Sequence, residues 1–148
     1  MSDTAVLTKL LHVRETEKVQ AQKAYQQAID CFENSATQLY QLLKKKEVAE
    51  EIYEECMQQT TTLEKLRKQV DYLEKLNAMI VHLQEEVQKA RADMEAKQSD
   101  LTEAHVETKK FEKMITHRKQ RETEAQEKLE KAMMDEISMQ QFLKYKNR

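Results

Sequence analysis

The side chains able to do chemistry are few. His12, His82, His105 and His117 could act as general bases or metal ligands, and Cys31 and Cys56 as nucleophiles, thiolate ligands or a disulfide. Each role needs convergence, either a nucleophile within hydrogen-bond reach of a base or several ligands around one ion. The histidines are instead scattered along most of the chain. The cysteines fall far apart on what reads as one helix, where they could not reach each other, and read as buried small apolar residues in a reducing compartment. There is no Gly-rich phosphate loop, and the two-helix architecture derived below has no concave pocket to exclude water from a substrate. An enzyme is not expected, nor a cofactor or a metal.

The elements that position these residues follow from composition. The 148 residues include no Gly and no Pro, so the two strongest helix breakers are missing. Charged residues make up 35% and aromatics 5%, with 25 basic against 27 acidic side chains, a balance suited to long solvated helices. Disorder is the competing reading of so polar a chain, but it would not hold an apolar repeat in phase over tens of residues. No stretch approaches the roughly 20 apolar residues of a membrane span, and the N-terminus lacks a signal-peptide pattern, which points to the cytosol.

The apolar repeat is clearest from Leu73 to Ile115. One row runs Leu73, Ile80, Val87, Met94, Leu101, Thr108, Ile115, and a second runs Leu76, Leu83, Ala90, Lys97, Ala104, Phe111. Together they make the a/d seam of a coiled coil, interrupted only by Lys97 and Thr108. The N-terminal half carries a looser counterpart: Leu7, Arg14, Ala21, Ala28, Ser35, Leu42, Ala49, Cys56, with Leu11, Lys18, Tyr25, Phe32, Leu39, Lys46, Tyr53. Small residues at Ala21, Ala28 and Ala49 permit close approach of a partner helix, while the polar exceptions snorkel or fix register. Ser2, Asp3 and Thr4 are N-cap candidates for the first helix. Gln58 to Thr62 break the pattern, and Thr61 with Glu64 has capping-box spacing, so the chain should turn there. One uninterrupted helix that dimerises is the alternative.

The expectation is therefore an all-α fold, a long antiparallel two-helix coiled-coil hairpin with a C-terminal single-helix extension. It forms a single coiled-coil domain over 1–148, with helix 1 at about 4–57, a turn at about 58–62 and helix 2 at about 63–146. Folding back near residue 60 sets Phe32 near Gln88 and Leu11 near Lys109. The first helix is used up by about residue 117, so a paired part roughly 80 Å long leaves an extension of roughly 45 Å. Along that extension the seam weakens to Arg118, Glu122, Ala125, Leu129, Ala132, Glu136, Met139 and Leu143.

Two surface features bear on function. Met133, Met134, Ile137, Met139, Phe142, Leu143 and Tyr145 give the extension more apolar surface than a lone solvated helix should expose. It suits insertion into another protein, methionine being adaptable; pairing with a second copy, or packing back on the N-terminal residues, is the alternative. Charge is also uneven. Glu47, Glu50, Glu51, Glu54 and Glu55 lie near the turn beside Lys44, Lys45 and Lys46, whereas Lys109, Lys110, Lys113, Arg118, Lys119 and Arg121 crowd the other end. A net charge of −2, with no basic stripe interleaved with aromatics, argues against nucleic acid.

The segments Asp100-Leu101-Thr102-Glu103 through Lys109-Lys110-Phe111-Glu112-Lys113-Met114, and Met134-Asp135-Glu136-Ile137-Ser138-Met139-Gln140-Gln141-Phe142, resemble the flagellar export protein FliJ family, especially its Bacillus-type members. Lys9-Leu10-Leu11-His12-Val13-Arg14-Glu15, followed by Glu17-Lys18, is similar to the family's opening, and the resemblance covers essentially the whole chain. It implies a cytoplasmic, non-catalytic component of the flagellar type III export apparatus, shaped like the central stalk of rotary ATPases. In that picture the end with both termini enters the pore of the hexameric export ATPase FliI and stimulates it, which assigns Leu11, Arg14, Met133, Met134, Ile137, Met139 and Phe142 to ATPase binding. The turn end contacts FlhA, the membrane protein of the export gate, with FliH and export chaperones as further partners. The protein would then sit at the cytoplasmic face of the membrane at the flagellar base, held by its partners only.

The family's gate-binding pattern maps onto Gln38, Leu42, Tyr72 and Leu76. Met79 and Leu83 stand where a small residue and His would be expected, and Lys45 and Ala49 replace tyrosines. Leu42, Leu76 and Leu83 are also seam positions, so burial competes with gate binding there. A general export chaperone working through its Met-rich surface, and a structural coiled coil that self-associates, are the competing functions.

Overall fold

The computed structural model describes residues 3–147. Two helices account for nearly all of them, α1 (Asp3–Gln58) and α2 (Leu63–Lys146), and no strand occurs among the described residues. The chain thus belongs to the all-α helical hairpin class, as its lack of breakers and its repeat predict. The first turn of α1 carries Asp3, whose charge suits a helix N-terminus; the alternative cap Ser2 lies outside the described residues.

Residues 59–62 make the turn. The Gln59 amide still donates to the Glu55 carbonyl at 3.2 Å, and α2 opens with the Leu66 amide donating to the Thr62 carbonyl at 3.3 Å. The Thr62 hydroxyl accepts from the Lys65 amide at 3.4 Å, so the cap is Thr62 and not Thr61. The expected box with Glu64 does not form. Three residues after Thr62 stands Lys65, a donor that cannot return a bond to the cap amide. No described residue has a positive φ, so this reversal uses conformations open to any side chain.

Contacts group the described residues into two units, one of Val19–Thr102 and one holding the residues up to Lys18 with those from Glu103 onward. In the first, the segments flanking the turn pack along the two rows read from the sequence. Ala28, Ala49, Leu76, Ile80 and Leu83 are buried, and Ala21, Phe32, Leu39, Leu42, Leu73, Val87, Ala90 and Met94 are half-buried. The alanines are buried because they are the small partners that let the helices close on larger residues. Arg91 lies over the Phe32 ring at 5.8 Å, a turn beyond the expected Gln88, because its long side chain spans about that distance.

In the second unit, the start of α1 pairs antiparallel with α2. Arg118 donates to Asp3 at 2.8 Å, the Thr4 hydroxyl donates to Glu122 at 3.1 Å, and Arg14 lies over the Phe111 ring at 5.6 Å. Leu11 is half-buried, and Lys109, which the fold-back near residue 60 sets opposite it, is exposed and paired with Glu112 on its own helix. Ile115 and Thr108 are the buried residues here, Thr108 only 2% exposed. Its hydroxyl donates to the Ala104 carbonyl at 2.8 Å and lies 3.4 Å from the Arg14 carbonyl across the seam. A polar seam residue is thereby satisfied within its own helix turn.

Candidate functional site

Everything from Arg121 to Asn147 is exposed. The cause is simple: α1 begins at Asp3, its first residues reach Arg118 and Glu122 on α2, and past these no helix faces the seam among the described residues. The apolar residues of this stretch do not share one stripe. Leu143, Leu129, Met133 and Ile137 spread over about a third of the circumference with Met139 at one edge, while Phe142 lies on the opposite side and Met134 and Tyr145 fall between Ile137 and Phe142. A helix apolar on several faces is satisfied only when surrounded, in contrast to the single stripe of a surface helix. Tyr145 at 82% exposure and Met139 at 68% show how far from satisfied it is.

The other residues assigned to this end are placed differently. Leu11 and Arg14 are half-buried, and the Arg14 guanidinium is committed to Phe111 and to Glu17 at 3.0 Å. They lie in the same unit as the exposed stretch but offer only their outer edges.

The residues assigned to the gate fall in the other unit, beside the turn. Gln38, Leu42, Met79 and Leu83 line a shallow groove of about 350 Å³ with Gln41 and Lys45. His82 borders it, its Nε2 3.1 Å from Glu86 one turn on. Tyr72 lines a second groove of about 350 Å³ with Lys44, Lys45, Val48, Ala49, Ile52 and Gln69. Leu76 and Leu83 are 3% and 7% exposed, spent on the seam. Gln38, Tyr72 and Met79 are exposed and Leu42 half-buried, so these four present the accessible surface. Val48 and Ile52 are exposed apolar members that sequence reading passed over. Their four-residue step beside the seam row was the available signal.

The groups considered for catalysis do not assemble. All four histidines are exposed, and among the described residues no three of His, Cys, Asp and Glu come together in a way that could hold a metal ion. Cys56 is half-buried, but Cys31 is exposed, contrary to the burial expected of it. It sits one step off the row of Ala28, Phe32 and Ser35, and so faces water. No helix is long and apolar enough to cross a membrane among the described residues.

Residues 4–147 match the family described as Flagellar FliJ protein. The chain belongs to the FliJ family. A relative of that name from Bacillus subtilis (strain 168) is 36% identical over 135 residues, covering 91% of this chain and 92% of the relative. No solved structure matches. FliJ membership makes the chain a flagellar export component, and the match reaches both the turn-side grooves and the exposed end of α2. The resemblance first drawn from Asp100–Met114 and Met134–Phe142 is thus a true family relation.

Proposed function

We propose that this FliJ-family chain is a non-catalytic, central-stalk-like coiled coil that binds and stimulates the hexameric export ATPase FliI and links it to the export gate FlhA. The observation that carries the reading is the stretch from Arg121 to Asn147, exposed throughout and apolar on several faces. Such a helix suits a site that encloses it, as the bore of a ring does, better than a flat surface. Met133, Met134, Ile137, Met139 and Phe142 supply the contacts, with the outer edges of Leu11 and Arg14 beside them.

A single rod in a six-fold pore meets each subunit differently. It therefore stabilises one nucleotide state in one subunit at a time, and a ligand shifts an equilibrium only by its differential affinity. A tenfold bias needs about 1.4 kcal/mol, which one apolar side chain burying against one subunit and not the next supplies at roughly 1.5–3 kcal/mol. At the turn end, Gln38, Leu42, Tyr72 and Met79 form the gate-facing surface, with Leu76 and Leu83 supporting it from the seam. FliH and export chaperones are further partners, and the protein works in the cytoplasm at the flagellar base, held to the membrane face through its partners.

The test is steady-state ATP hydrolysis by the FliI-type ATPase of the same organism, with the full chain, with a chain ending at Arg121, and with Met139→Asp plus Phe142→Asp. Stimulation by the full chain alone supports the reading. Equal stimulation by all three removes the C-terminal cluster from the interface. No effect from any of them, with binding to several export substrates, favours a general export chaperone instead.

A further inference from the structure

The exposed end of α2 also carries the pattern needed to pair with itself. The seam rows that are buried or half-buried at Ala104, Thr108, Phe111, Ile115 and Arg118 continue without a break in phase through Glu122, Ala125, Leu129, Ala132, Glu136, Met139, Leu143 and Lys146. In a parallel pair, Glu122, Glu136 and Lys146 would each face its own copy, like charge against like at three seam layers. Reversing one strand about a dyad at residue 134 changes every layer. Leu129 then faces the second copy's Met139, Ala125 faces its Leu143, Ala132 faces its Glu136, and Glu122 faces its Lys146. Small residues meet large ones, Glu136 lies over a small side chain, and the terminal layers become opposite-charge pairs. Met133 meets its own copy beside the dyad.

We propose that this segment is an antiparallel self-association surface, through which two copies of the chain pair over about residues 122–146. The pairing is weak. It spans little more than three heptads, holds Glu136 in the seam and brings Asp135 near its own copy on the flank. Glu122 also already accepts a bond from Thr4 within its own chain. A dissociation constant on the order of tens of micromolar follows, a dimer when stored and a monomer when dilute. Because the surface is also the one assigned to the ATPase, the dimer would be a reserve form excluded from the pore, a corollary that rests on the reading above.

The experiment needs no ATPase, so its failure and the failure of the ATPase reading are distinguishable. Sedimentation equilibrium of the full chain is expected to show a reversible monomer–dimer equilibrium. Glu122→Lys should weaken it about fivefold, and adding Lys146→Glu should restore it, since two such pairs form per dimer. Direction is read by oxidative trapping in a chain carrying Cys31→Ser and Cys56→Ala, with helicity checked by circular dichroism. Chains bearing Leu129→Cys and Met139→Cys should cross-link when mixed, and neither should cross-link alone. A monomer at all concentrations, self-cross-linking of each single variant as a parallel coil requires, or a dimer untouched by both charge reversal and trapping would overturn the proposal.

Discussion

Replacing Thr108 by Val should stabilise the fold, although Thr108 is the one polar residue among those most deeply buried. The hydroxyl has two neighbours, the Ala104 carbonyl at 2.8 Å and the Arg14 carbonyl at 3.4 Å. Each of those carbonyls also lies four residues before an amide in the same helix and so has an intrahelical partner. Deleting the hydroxyl leaves neither acceptor orphaned. A typical internal hydrogen bond is worth a net of about 0.5–1.5 kcal/mol with desolvation already included. A bond from a helical Thr back to its own i−4 carbonyl falls below that range because it slightly destabilises the helix, while the methyl that replaces the hydroxyl adds roughly 0.8 kcal/mol of buried apolar surface. The bond to Arg14 lies beyond the usual range for an O–H donor and adds little. Val keeps the shape and the β-branch, so the balance is a gain of about 0.5–1 kcal/mol. That corresponds to roughly 1–4 °C in Tm for a chain of this size. Urea unfolding followed by circular dichroism measures it as a rise in midpoint at constant slope. A midpoint that falls by the equivalent of about 1 kcal/mol or more would refute the reasoning. It would mean that the cross-helix bond to Arg14 contributes net stability and holds the register.

Leu76→Ala removes a buried seam side chain and should cost about 2–3 kcal/mol, the low end for Leu to Ala because a two-helix seam can partly close; Val81→Ala, on an exposed face, should change the urea midpoint by less than about 0.5 kcal/mol. Thr62→Ala should lower stability by about 1 kcal/mol through loss of the helix cap while Thr61→Ala leaves it nearly unchanged, and the opposite ranking by thermal melting would return the cap to Thr61. Arg14→Ala should cost about 1 kcal/mol by removing the guanidinium and its stem from Phe111, and a midpoint insensitive to that change but lowered by Glu17→Ala would mean that the ion pair is the working contact.

Much of this architecture was legible in residue types alone. Every position of both rows, from Leu7 to Tyr53 and from Leu73 to Arg118, is buried or half-buried, including the charged Arg14, Lys18, Lys46 and Lys97. Periodicity reads burial well here because a two-helix pairing has one interface, so the 3.5-residue rows are covered while apolar residues off them, such as Val48 and Val81, stay exposed. The details that escaped are those set by single atoms. Thr61 and Thr62 are chemically identical as caps, and only the placement of the first helical amide selects one of them. Composition implied that Cys31 would be buried, but one step of helix rotation puts it outside. The exposed end of α2 could be foreseen from the unequal lengths of the two patterns. The turn-side grooves could not, since Val48, Ile52 and Tyr72 become neighbours only once the helices have folded back.

No described side chain is less than 2% exposed, and the core of each unit is a single file of contacts between two helices. Such an interface has no centre. Each layer touches only the layer before and after it, so opening proceeds by fraying in small local steps, as in linear repeat arrays, and not by one global event. Amide exchange should therefore fall off gradually along each helix, fastest beyond Glu122 and slowest around Leu76, Ile80 and Leu83. A partner that grips one strand near its end competes with only a few layers, and can peel the pair apart there while the distant layers stay closed.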